Sequence, residues 1–431
     1  MPSELLRQVR LLDPVSRTDR IADVLLIDGT IQAIEEHLAD YPEGTQVHDC
    51  QGCILGPGLV DLYSHSGEPG FEDRETLESL AQAAIAGGFT RMHLLPDTQP
   101  VIDRPATVEW LQTTYERVQA QSQRGGAYPQ LRYWGALTLG VKGEQMTELT
   151  ELATAGVVGF ADGQALSNLG ITRRLLDYLQ PQKKPIALVA RDRHLVGDGV
   201  MQEGADAVRF GLPGTPASAE TTALAALLEL IETTGTAVHL MRIATARGVE
   251  LIQQSKTRGV PITASTTWMH LLLNSQHLHS YNPHLKLQPP LGSHRDQLAL
   301  QNGLRTGILD AIAIDHTPYT FEETALSFAE APSGAIGLEL ALPLLWQQLV
   351  ATGEWSALEL WGCLSTKPAQ CLNQAPVSLA LGQPAELTLF NPHQSWMVEP
   401  QQLRSRSANT FWLGQPLTGR VVKVWCPLTN Y

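Results

Sequence analysis

Tyr63 and His65 stand two residues apart, the spacing at which a strand end could offer a cation two ligands, yet only one of them is a histidine. They lie in Asp61-Leu62-Tyr63-Ser64-His65-Ser66-Gly67-Glu68-Pro69-Gly70, directly after the apolar run Gly58-Leu59-Val60, which reads as a short buried strand. Side chains alternate along a strand, so a His-x-His pair would put both imidazoles on one face. One imidazole is a poor metal site, because zinc takes roughly three or four protein ligands. Other residues that could hold a metal, an anion or a proton also follow apolar runs: Asp97, Asp162, Arg191, Arg242, His270, Asp315 and His316. Carboxylates and imidazoles suit metal-assisted or acid–base hydrolysis. Arginine does not, since its guanidinium has no lone pair for a cation and stays protonated.

The elements that must position these residues form a regular series. Strands are expected near residues 58–62, 89–95, 131–139, 157–160, 186–190, 237–241, 260–264 and 309–314, with helical stretches between most of them. A helix over 75–86 stops at Gly87-Gly88, and another over 219–233 stops at Gly235, both C-cap signals. Eight strands alternating with helices predict an α/β fold, a (β/α)8 barrel of TIM type, whose reactive residues sit at the C-terminal strand ends. The first fifty residues differ. There, strands over 22–27 and 30–34 flank Asp28-Gly29, a two-residue hairpin signal. Strand character returns after about Pro368, over 385–390 and 420–425. The two ends are expected to pair into a small composite β-sandwich domain. This gives 1–56 and 368–431 as its two parts and 57–367 as the barrel.

The chain has 431 residues, 43% hydrophobic and 17% charged, an ordinary globular composition. Thirty basic against forty-four acidic residues leave a net charge of −14, which argues against nucleic acid or an anionic membrane as main partner. No apolar stretch approaches the ~20 residues that span a bilayer, and the first seven residues lack a signal-peptide core. Five scattered cysteines suit a reducing compartment, so a cytoplasmic location is expected. Cys50-Gln51-Gly52-Cys53 has no second pair nearby and reads as strand packing rather than a zinc site.

The string from Pro57-Gly58-Leu59-Val60-Asp61 through Glu68-Pro69-Gly70 resembles the type I dihydroorotases of the amidohydrolase superfamily, which have P-G-x-V-D-x-H-x-H-x-R-E-P-G there. The likeness continues through Ala86-Gly87-Gly88-Phe89-Thr90, Leu95-Pro96-Asp97-Thr98-Gln99-Pro100-Val101 and Pro289-Pro290-Leu291. It extends to Ile312-Ala313-Ile314-Asp315-His316-Thr317-Pro318 and Leu381-Gly382-Gln383-Pro384-Ala385-Glu386-Leu387-Thr388. The resemblance implies a barrel with a composite β domain and a place in de novo pyrimidine biosynthesis. Dihydroorotases cyclise carbamoyl aspartate reversibly, using zinc to polarise a carbonyl and activate water, whose pKa falls to about 7 when bound.

Carried over residue by residue, that chemistry is incomplete. The family's first metal-binding histidine corresponds to Tyr63 and its second to His65. The metal-bridging acid matches Asp162, with one residue deleted. The histidines of A-H-C-E-D and H-x-x-H-V-S correspond to Arg191 and Arg242, and the catalytic aspartate of T-D-H-A-P-H to Asp315, that motif's last histidine being Tyr319. On the substrate side, the arginine of R-E-P-G is Gly67 and the asparagine of P-N-T is Asp97. The asparagine and arginine of M-N-P-P-L-R are Gln288 and Gly292. Metal shell and substrate clamp have decayed together.

Three readings follow. In the first, Arg191 and Arg242 neutralise Asp162 and Asp315 in place of cations, no cofactor is present, and the fold is kept as a non-catalytic subunit. The resemblance then implies a structural partner of aspartate carbamoyltransferase and an oligomer. In the second, His65, Asp162 and Asp315 bind zinc in an unorthodox dihydroorotase or cyclic-amide hydrolase, with Asp315 as base. In the third, Arg191 and Arg242 bind an anion, against which the negative charge of Asp97 weighs. His65, His316, His93, His239 and His270 read as hydrogen-bonded pocket or core residues. His277, His279 and His284 read as a polar loop, and Trp268 and Met269 as packing into vacated space.

Overall fold

A computed structural model describes residues 3–121 and 127–427. Residues 1–2 and 428–431, at the outer ends of the expected β domain, lie outside the described residues. Two parallel runs of four strands build the barrel. Leu59–Val60, Phe89–Leu94, Gln130–Gly135 and Gly159–Phe160 form the first; Ala187–Val189, Val238–Met241, Ile262–Thr267 and Ala311–Ala313 form the second. A bridge between Phe160 and Ile186 joins them. The other seam closes where the Asp315 amide donates to the Tyr63 carbonyl at 3.2 Å and the His65 amide to the His316 carbonyl at 2.8 Å. Closing the barrel therefore brings Tyr63 and His65 beside Asp315 and His316, about 250 positions later in the chain.

Both termini feed one seven-stranded sheet. Its order is Pro416–Trp425, Leu387–Met397, Ile54–Pro57, Glu4–Asp13, Thr18–Ile27 and Thr30–Glu35, with Gln46–Asp49 also paired to Glu4–Asp13. The expected hairpin forms at Asp28-Gly29, both with positive φ, as a tight primed turn requires. Arg91 of the second barrel strand holds Glu386 beside this sheet through two bonds of 2.7 and 2.8 Å, tying barrel and sheet together.

Most expected boundaries move by a few residues, two of them for a plain local reason. The strand expected over 131–139 ends at Gly135, because the Leu137 and Thr138 amides turn away to the Asp162 carboxylate. The helix expected from residue 75 starts at Leu77. Thr76 is its N-cap, accepting from the Ser79 amide, which frees Glu75 to face inward. The strand expected over 385–390 runs over Leu387–Met397, and the stretch at Pro368 itself, Thr366–Cys371, is helical. Pro368 is tolerated there because first-turn amides have no intrahelical acceptor. Among the described residues no helix is long and apolar enough to cross a membrane.

Candidate active site

A cavity of about 290 Å³ opens at the C-terminal ends of the barrel strands. His65, Asp97, Asp162, Arg191, Arg242, His270, Gln288 and Asp315 all line it, while Tyr63 and His316 lie beneath, almost wholly buried. The strand-end rule thus gathers residues scattered over 250 positions into one place.

Its centre is an ion pair. Arg242 donates from Nε to Asp315 Oδ2 at 2.7 Å and from Nη2 to Oδ1 at 2.6 Å, a bidentate fork, and from Nη1 to the Gly163 carbonyl at 2.6 Å. Burial alone would raise the Asp315 pKa, but Arg242, with help from His65, holds it well below the carboxylate range. So weak a base is poorly suited to take a proton near neutral pH. Arg242 and Asp315 both adopt left-handed backbone, which costs roughly 1–2 kcal/mol for a residue with a Cβ. Bonds to Tyr63 hold them there: its carbonyl accepts from the Asp315 amide and its hydroxyl from the Arg242 amide at 3.2 Å.

Tyr63, at the position where the family pattern has a histidine, is a fully buried core residue. Its hydroxyl lies 3.0 Å from Ser265 Oγ, which in turn lies 2.9 Å from His239 Nε2. Burial, with Asp315 nearby, keeps this phenol protonated, so it offers a cation no phenolate.

The expected pairing of Arg191 with Asp162 does not occur. Asp162 Oδ1 accepts from the Leu137 and Thr138 amides at 2.8 and 3.0 Å, and Oδ2 from Thr138 Oγ1 at 2.5 Å. These donors satisfy the carboxylate without a counter-ion, and burial raises its pKa despite them. Arg191 has no side-chain hydrogen bond or ion pair among the described residues, and its Nη1 is buried without a partner. Burial pushes its pKa down to about 10, with Glu220 opposing.

His65 Nδ1 lies 2.7 Å from Asp97 Oδ2, and its Nε2 lies 3.2 Å from Arg242 Nη2 and 3.6 Å from Asp315. Burial works against a charged imidazole, but Asp97 and Asp315 outweigh it and lift the pKa to about 9. A histidine raised above its unfolded value of 6.5 contributes stability that is complete below that pH and lost as pH rises through about 9. The urea midpoint should therefore fall between pH 6 and pH 10 in the parent chain, and fall less in His65→Gln. Equal losses in both would rule out this source.

The glycines aligned with the family's two substrate-side arginines are tightly enclosed. A Cβ on Gly67 would lie 2.3 Å from the Glu75 carbonyl oxygen and 2.5 Å from that of Phe71. A Cβ on Gly292 would lie 2.7 Å from that of Asp296. Neither position has room for the arginine that the family pattern places there. Gln288 remains, exposed on the wall.

This donor set does not fit a metal ion. Both Asp315 oxygens face Arg242, both Asp162 oxygens accept from Leu137 or Thr138, and the nearest cationic nitrogen lies 3.2 Å from His65 Nε2. A cation among them would meet a fixed guanidinium in a poorly solvated pocket.

The other histidines singled out from the sequence have hydrogen-bond partners of their own. His93 Nδ1 lies 2.6 Å from the Asp61 carbonyl, His239 bridges Thr263 and Ser265, and His270 lies 2.7 Å from Thr267 Oγ1. His277 and His279 sit on carbonyls of their own 3-10 turn, and His284 on the Thr410 carbonyl. Trp268 and Met269 are buried against the cavity.

Three polar cavity residues escaped sequence reasoning as site residues, Arg74, Gln164 and Arg193, while Tyr319, read as standing at a family histidine, lines the cavity too. Gln164 and Arg193 each lie two positions beyond a strand-end residue, which could have flagged them. Arg74 pairs with Glu323, nearly 250 residues away, and no local signal marks it.

Comparison with known proteins places the arrangement in context. A family model described as dihydro-orotase-like matches residues 52–247. A probable dihydroorotase-like protein from Synechocystis sp. is 42% identical, covering 98% of this chain and 99% of that one. A dihydroorotase from Pelobacter propionicus is 36% identical over 97% of this chain and 96% of its own. Among solved structures, the L-hydantoinase (dihydropyrimidinase) of Arthrobacter aurescens superposes with a TM-score of 0.82 at 21% identity. It covers all of this chain and 98% of its own, a likeness of fold.

Proposed function

The chain belongs to the dihydroorotase-like family, and we propose that it is a member without hydrolytic activity, working without metal as a structural partner of aspartate carbamoyltransferase in the cytoplasm. The observation that carries this reading is the Arg242–Asp315 fork, which covers the family's catalytic carboxylate with a permanent cation. The tightly enclosed glycines Gly67 and Gly292 support it independently. Retention of the whole barrel without its reactive groups favours a role for the surface, and the choice of partner is family analogy. An oligomeric assembly follows from that role.

Affinity-tagged chain, expressed with the transferase of the same organism, should elute with it as one species on size exclusion. The chain alone should contain negligible zinc and turn over no carbamoyl aspartate. A transferase that assembles and works normally without the chain would sink the partnership. The alternative, an active hydrolase on His65, Asp162 and Asp315, is supported by the dihydroorotases among the relatives. Stoichiometric zinc together with turnover would establish it.

A further inference from the structure

The cavity holds a buried cation, Arg191, that makes no direct ion pair among the described residues. Arg191 is nine-tenths buried, lines the cavity, and has no hydrogen-bond or ion-pair partner for its guanidinium among the described residues. A buried charge without a partner is costly and is retained where something else compensates it. Its neighbours do so only at a distance, Glu220 acting on it without a direct bond. Asp162 is satisfied by Leu137 and Thr138, and Asp315 by Arg242. Glu220 accepts from the Ala244 and Thr245 amides and from Thr245 Oγ1.

The charge balance points the same way. Four arginines line the cavity, Arg74, Arg191, Arg193 and Arg242, against three aspartates, Asp97, Asp162 and Asp315. Arg74 is matched by Glu323, which lies outside that lining, and Arg242 by Asp315. Asp97, which argued against an anion from sequence, is matched by His65 at 2.7 Å. Arg191 and Arg193 make no direct ion pair among the described residues: Glu220 acts on the first and Arg193 on Asp162 only at longer range, and Arg193 donates to the neutral Gln164 at 2.6 Å. A volume of about 290 Å³ suits a small metabolite.

We propose that Arg191 is the anchor of a binding site for a small oxyanion-bearing metabolite, seated in the cavity at the strand end where the family pattern has a histidine. A guanidinium fork matches a carboxylate or a phosphate in two parallel bonds, and the shared chemistry is the oxyanion. The inference rests on the reading that this cavity holds no metal, so the titrations are run in EDTA, where the two ideas fail separately.

The test uses the full chain, with sodium phosphate and sodium malonate as probes against sodium chloride at equal ionic strength. Thermal unfolding and calorimetric titration are the readouts. Phosphate, malonate or both should raise the Tm of the parent beyond the chloride control. Which of them does so distinguishes a phosphate from a carboxylate ligand. Arg191→Gln should bind at least about tenfold more weakly, while Arg295→Gln, an exposed control, should bind as the parent does. Without added anion, Arg191→Gln should melt at or above the parent, because it loses no partner. No oxyanion-specific shift, an equal shift in Arg191→Gln, or failure of that variant to fold would each overturn the proposal. A shift that EDTA abolishes would mean that a metal holds the anion, defeating both this inference and the metal-free reading. Arg191-dependent binding in EDTA supports the site whether or not the transferase is captured.

Discussion

Replacing Arg242 with methionine should destabilise the folded chain by about 3–5 kcal/mol, the range seen when one half of a buried ion pair is removed. The side chains of Arg242 and Asp315 are only 7% and 15% exposed, so solvent screens them little. Without the arginine, Asp315 keeps only His65, at 3.6 Å, beyond hydrogen-bond range. Methionine preserves much of the stem's packing, so the loss reports on charge. In the double variant Arg242→Met with Asp315→Asn much of the stability should return, because no charge is left stranded. Urea midpoints for the four chains at pH 7 give the coupling.

The pH dependence supplies an internal check. Asp315 is held below its unfolded value of 3.8, so its contribution is present above that pH and lost as pH falls further. The cost of Arg242→Met should therefore shrink in acid, where the stranded carboxylate takes up a proton. A single variant within about 0.5 kcal/mol of the parent at pH 7 would show that the fork is ornamental and would remove the main support for a blocked carboxylate.

The barrel was legible because its signal is periodic. Short apolar runs alternate with helical stretches, and the residue after each run falls on the rim. That rule alone placed His65, Asp97, Asp162, Arg191, Arg242 and Asp315 at one cavity. What it could not supply was partner choice. Arg191 and Asp162 look complementary in sequence, but Asp162 is claimed by two amides and a hydroxyl from the loop after Gly135. Backbone donors carry no residue identity, so no reading of side-chain types finds them. Glu75 escaped for a related reason. It reads as a first-turn helix residue, yet the Thr76 cap leaves it buried among Ser79, Ser405 and the Arg406 amide. Two of those three partners lie about 330 positions away. The tight fit around Gly67 is likewise invisible, because a glycine states only that a side chain is absent and not that none would fit.

Returning histidine to positions 63, 191 and 242 should therefore restore one property and not the other. Tyr63→His, Arg191→His and Arg242→His together remove the fork that covers Asp315 and rebuild, with His65, an imidazole set around it. With at least three neutral nitrogen donors and a freed carboxylate, zinc should bind stoichiometrically, and more tightly than to the parent measured alongside. Elemental analysis of chain refolded or expressed in zinc measures this directly. Turnover of carbamoyl aspartate should remain at least about 10²-fold below that of an active dihydroorotase, because mispositioned substrate alone costs that much. The positions that would clamp the substrate carboxylate are Gly67 and Gly292, and adding Gly67→Arg should lower stability instead of rescuing the rate, its Cβ falling 2.3 Å from a backbone oxygen. Zinc with no turnover would locate the lesion in the loop backbone and make the loss hard to reverse by single substitutions. Turnover near that of an active relative would mean that the arginines at 191 and 242 and the tyrosine at 63 are the whole difference. The cavity would then be a hydrolase site three substitutions from work.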